Sequence, residues 1–163
     1  MKLKEVVHYL QRSPIKGLPL FILLMDDGKE YISVGDAFIE NTKPNRDKIF
    51  PSTDDKASML SYTDYDIGEI VDAGYMFCGC DSITEFDIDM PNVICTDGMF
   101  AGCSLLRSFE SRMPNVISCS FMFDGCSALE TFISNINNVR GARATFRGCN
   151  VYRRVAIQGY TVD

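Results

Sequence analysis

Cys78-Gly79-Cys80 is the stretch best suited to chemistry, because two thiols one glycine apart could hold a soft metal or exchange with a disulfide. Zinc sites usually present two spaced ligand pairs, however. Here only Cys80 belongs to a repeated column, and the place of Cys78 is taken by Ala101, Asp124 and Arg147 further on. A thiol nucleophile would need an acid–base partner. The single histidine, His8, lies far upstream in a segment that reads as helix. No GxSxG, HExxH, phosphate-binding loop or dinucleotide fingerprint occurs. Asp87 and Asp89 could share one strand face as paired carboxylates, yet a calcium loop needs a denser run of oxygen ligands around its glycine. These residues predict no enzyme, no cofactor and no metal, with buried packing as the role of the thiols and a solvated acidic face as that of the carboxylates.

The elements that must position these side chains follow from a repeat. Phe77, Phe100, Phe123 and Phe146 recur every 23 residues, and so do Gly79, Gly102, Gly125 and Gly148, and then Cys80, Cys103, Cys126 and Cys149. A unit of this length cannot bury its own apolar side, so copies are expected to stack into one core. Full copies span 74–96, 97–119 and 120–142, with a half-formed one over 58–73, marked by Leu60, Ile67 and Ile70, and a decaying one over 143–163. Ile83-x-x-Phe86-x-Ile88 and its successors at Leu106, Leu129 and Tyr152 follow the spacing of a leucine-rich repeat and predict four short parallel strands. MFxGC supplies a turn or short helical piece, and Pro91-Asn92 and Pro114-Asn115 turn the chain again.

The first 57 residues lack the repeat. Leu3, Val6, Val7 and Leu10 fall at helical spacing, predicting a short amphipathic helix that ends before Pro14. Leu18 to Val34, with Asp27-Gly28 between two β-favouring runs, predicts a hairpin. Glu40 to Ala57 is polar and carries two prolines, which predicts a long connecting loop. The chain is thus expected to divide into an N-terminal cap or attachment segment over 1–57 and a repeat domain over 58–163.

Composition narrows the partners. At 163 residues and 46% hydrophobic content there is material for a substantial core. A formal charge of -6 argues against a nucleic-acid surface, which needs clustered Lys and Arg. The seven cysteines are odd in number and four share one column, so free thiols are expected. The apolar run Leu18 to Met25 is too short to span a bilayer, and no small-residue cleavage site follows it. A chain with no signal peptide is expected to be cytoplasmic when made, and virion association is compatible with that.

Across the repeat, MFxGCxxLxxFxxxMPNV resembles the units of BspA-like leucine-rich repeats, over about residues 58–163. The resemblance implies a noncatalytic β-rich solenoid of the kind found in bacterial surface adhesins and in proteins of host-associated microbes and their phages. The expected fold is therefore a β-rich solenoid of leucine-rich-repeat type with an N-terminal α+β cap. Positions alternating with the core define a candidate binding face: Glu85, Ser108, Thr131 and Arg154; then Asp87, Glu110 and Ile133; then Asp89, Arg112 and Asn135. The expected function is a protein-interaction or adhesion module that docks a protein or glycan on this face. The alternative is a structural component of a phage virion or other large assembly, joined to its fellow subunits through the N-terminal segment.

Overall fold

The computed structural model describes residues 1–11, 13, 17–50 and 67–150, together with the backbone of 156–157 and 160–161. Strands β1 (Leu3–Leu10), β2 (Leu20–Met25), β3 (Glu30–Val34) and β4 (Ala37–Glu40) form an antiparallel sheet in sequence order. The expected hairpin is β2–β3. Gly28 takes φ +78 in its turn, a left-handed conformation that glycine enters without steric cost, and the Asp27 carboxylate accepts from Lys29 N at 2.9 Å and the Tyr31 hydroxyl at 2.7 Å. LFILLM has no polar face because β2 is covered on both sides. Phe21, Leu23 and Met25 join the core of the repeats, whereas Leu20 and Ile22 pack with Ile32, Val34 and Phe50.

The segment expected to be a helix is β1. Two irregularities in its pairing with β2, between Leu3 and Glu5 and between Val6 and His8, explain the helical spacing. Each shifts the two-residue alternation by one, so Leu3 and Val6 face the repeats while Val7 and Leu10 face Phe50. The polar stretch expected to be a loop contains helix α1, Lys43–Ile49. Thr42 caps it by accepting from Asn45 N, Pro44 stands in its first turn, and Phe50 anchors its end in the core.

Beyond α1 the chain advances in turns offset by 23 residues. Strands β5 (Glu85–Phe86), β6 (Ser108–Ser111) and β7 (Thr131–Ser134) pair in parallel, with Glu85 opposite Ser108 and Ser108 opposite Thr131. Parallel bridges link Asp72, Cys95, Ser118 and Gly141 in the same register. Between them runs a double phenylalanine ladder. Phe77, Phe100, Phe123 and Phe146 stack at 5.1, 5.6 and 5.3 Å, and Phe86, Phe109 and Phe132 at 5.4 and 5.6 Å, the two columns meeting edge to face. Such pairs add about 0.5–1.5 kcal/mol each beyond their buried area. Phe38 of β4 lies 6.4 Å from Phe77, and Leu3, Val6 and Phe21 share a core with Ile70, Met76 and Phe77.

The leucine-rich-repeat solenoid with an α+β cap is corrected by this arrangement. The described residues form a four-stranded antiparallel sheet, a separate three-stranded parallel sheet and one α-helix, with a two-stranded pair near the end. The parallel strands are only two to four residues long, and the largest sheet belongs to the segment without the repeat. Among the described residues no fourth parallel strand follows β7, and Tyr152 and Val155 of the expected strand lie outside them. Instead β8 (Ala156–Ile157) pairs antiparallel with β9 (Tyr160–Thr161), where the last copy has exchanged the Leu and Phe of its predecessors for Tyr152 and Val155. Before the first full copy, Ile67–Glu69 forms a 3-10 turn and Ile70 is buried, whereas Leu60 lies outside the described residues.

Candidate functional site

The parallel sheet sorts its side chains by alternation: Phe86 and Phe109 point into the core, and Glu85, Glu110, Thr131 and Ile133 are exposed. At the C-terminal ends of the strands a groove of about 820 Å³ runs across three turns, lined by Asp87, Ile88, Asp89, Glu110, Ser111, Arg112, Ile133, Ser134 and Asn135. It gathers Asp87, Asp89, Glu110, Arg112, Ile133 and Asn135 of the residues picked from the sequence. Glu85, Ser108 and Thr131 form the neighbouring column outside it, and Arg154 lies outside the described residues.

Several of these groups hold the turns together. Asp89 Oδ1 accepts from Arg112 N at 2.8 Å, and Asn135 Oδ1 from Met113 N at 2.7 Å. Beneath them the Ser111 hydroxyl donates to Ile88 O at 2.6 Å and the Ser134 hydroxyl to Ser111 O at 2.7 Å, which satisfies polar groups on the groove floor. Asp87, Glu110, Arg112 and Ile133 present exposed side chains, and Ile133 is 54% exposed. Lys2 was not legible as part of this surface. Its Nζ reaches Asp87 Oδ2 at 2.7 Å and Glu85 Oε2 at 3.8 Å, an ion pair that raises the lysine pKa, chiefly through the hydrogen bond to Asp87. The contact spans 85 residues of sequence, so no local pattern could signal it.

The thiols sit elsewhere and are poor nucleophiles. All seven cysteines are free. Cys103, Cys126 and Cys149 donate to the carbonyls of Phe77, Phe100 and Phe123 at 3.0, 3.1 and 3.0 Å, so the column is a ladder of weak hydrogen bonds as well as apolar packing. Burial pushes Cys126 up to about 12 and Cys80, Cys95, Cys119 and Cys149 to about 11, which keeps them protonated at neutral pH. Cys78 is half-buried and also raised, and among the described residues no three His, Cys, Asp or Glu side chains are grouped to hold a metal ion. His8, expected on a helix surface, is buried in β1, and burial lowers its pKa.

No family model matches the chain, and neither the curated proteins nor the solved structures contain a match to it. Among the described residues no helix is long and apolar enough to cross a membrane.

Proposed function

We propose that this chain is a noncatalytic interaction module whose strand-end groove docks a segment of a protein partner. The observation that carries the reading is the groove's composition. An isoleucine 54% exposed at one end supplies an apolar anchor, and the carboxylates of Asp87 and Glu110 with the guanidinium of Arg112 supply a charged rim. The turns beneath are tied by side-chain hydrogen bonds at 2.6–2.8 Å, so binding would not have to order the surface first. The likeness of its MFxGC units to BspA-like repeats supports a noncatalytic role. An exposed isoleucine with no aromatic ring in the groove suits a peptide side chain better than a sugar face.

A photo-crosslinking residue placed at Ile133 in the full chain, in the cells that make it, tests this against the same residue at Leu105, which is 51% exposed outside the groove. A defined protein adduct from position 133 and none from 105 is expected. Equal adducts from both, or none from 133, would remove the groove as the docking surface.

A further inference from the structure

A second surface of the stacked turns is independent of the groove. Val71, Ile94 and Ile117 succeed one another at 23-residue offsets and are 43%, 41% and 42% exposed, large apolar side chains in one line on the surface. The next residue in that column is Arg140, also exposed. Beside it runs Glu69, Asn92, Asn115 and Asn138, and the three asparagines donate through Nδ2 to Gly68 O, Pro91 O and Pro114 O at 2.7, 2.7 and 2.8 Å. Those bonds hold the asparagine column in place. Backbone bonds from Ile94 N to Val71 O, from Ile117 N to Ile94 O and from Arg140 N to Ile117 O, at 2.7, 2.8 and 2.7 Å, fix the apolar column in the same way. The face is therefore held in place, with a negative charge at its first turn (Glu69) and a positive one at the last described turn (Arg140).

We propose that this face is the contact between two copies of the chain, packed face to face with their stacking directions opposed. A two-fold axis lying in the interface across the columns sets each column against itself in reverse order. Ile94 then meets Ile117 of the second copy, and Asn92 meets Asn115. Arg140 of the second copy lies over Val71, where its methylenes cover the apolar side chain and its guanidinium reaches Glu69. The Glu69 carboxylate can accept from more than one donor, so this contact is compatible with others it makes. The pairing occurs twice by symmetry. A column of uniform charge, or one with both charges at the same end, would not be self-complementary in this way. Three steps of about 4.8 Å make the ladder short, and the dimer accordingly belongs with small interfaces that form weakly.

Sedimentation of the full chain from about 10 to about 500 µM, the range suited to a weak contact, tests the proposal. The mass of the unaltered chain is expected to rise toward the dimer. Ile94→Lys is expected to stay monomeric throughout with an unchanged melting temperature, because the position is exposed. Arg140→Glu should weaken association about tenfold or more, since it replaces two attractions with two repulsions, and adding Glu69→Arg should recover most of the loss. A monomer at every concentration, or a dimer indifferent to Ile94→Lys, would overturn the proposal. So would a charge-reversed double variant no better than Arg140→Glu alone, since the antiparallel register requires the rescue.

Discussion

At the scale of single residues, the 23-residue columns carry two constraints that residue type alone would not convey. The first is thiol chemistry. Burial raises the pKa of Cys80, Cys103, Cys119 and Cys126, so these thiols should react with a maleimide or disulfide reagent only slowly in the native protein and rapidly in denaturant, where all seven become available. The same shifts set a pH dependence. Unfolded thiols lose their protons near about pH 8.5 while the folded ones keep theirs, so stability should fall as pH rises from there toward 11, read as a lower urea midpoint at pH 9.5 than at pH 7.5. The second constraint is backbone shape. Tyr75, Gly98, Phe121 and Ala144 occupy one column with φ of 59°, 62°, 58° and 52°, a left-handed position filled by glycine only once. Holding a non-glycine residue there costs about 1–2 kcal/mol, partly offset by glycine's greater freedom when unfolded. Ala144→Gly should therefore leave stability unchanged or raise it by up to about 1 kcal/mol, measured by urea titration. A loss comparable to an ordinary Ala→Gly change would show that the position is not strained.

At the scale of elements, the phenylalanine ladder holds the turns in register. Phe100 and Phe123 each have a ring above and below and edge contacts to the second column. Replacing either by alanine should cost about 3–5 kcal/mol in thermal or urea melts. Phe146, at 8% exposure where the described part of the ladder ends, should cost less. Equal losses at all three would mean that the last turn packs as well as the middle ones. This register was legible, because Phe, Gly and Cys recur together and each column demands the same environment in every turn. Strand β1 was not. Its bulges place Leu3 and Val6 on one face, and a spacing of three reads as a helix when the irregular pairing with β2 is invisible. Helix α1 escaped for the opposite reason: Lys43–Ile49 has no apolar periodicity, and its only local signals are Thr42 as a cap and Pro44 behind it. The β1 reading carries its own test through His8. Burial depresses its pKa, so the unfolded chain takes up a proton below about pH 6.5 that the folded chain resists, and stability should fall between pH 7 and pH 5. His8→Leu should flatten that slope, whereas a surface histidine would leave it unchanged.

At the scale of the whole molecule, the antiparallel sheet and the stacked turns share one core. Leu3, Val6, Phe21, Leu23 and Met25 belong to the same buried cluster as Phe77, Phe100, Phe109 and Phe123, and Lys2, just before β1, pairs with Asp87 at the groove. The candidate groove was legible only in part. Alternation gave the outward columns at Asp87, Glu110 and Ile133. It could not show that Asp89 and Asn135 are engaged in holding neighbouring turns, or that Lys2 completes the acidic end, because those contacts depend on tertiary geometry. A core shared by the two sheets requires them to open together. Native-state hydrogen exchange across low denaturant, following amides of β2 and β3 beside those of Phe100, Gly102 and Phe109, measures this directly. The shared core predicts that both sets converge on the same opening free energy and the same denaturant dependence. If the antiparallel sheet exchanges through a separate, lower-energy opening while the stacked turns stay protected, the two sheets are independent bodies and the groove does not rest on a common core.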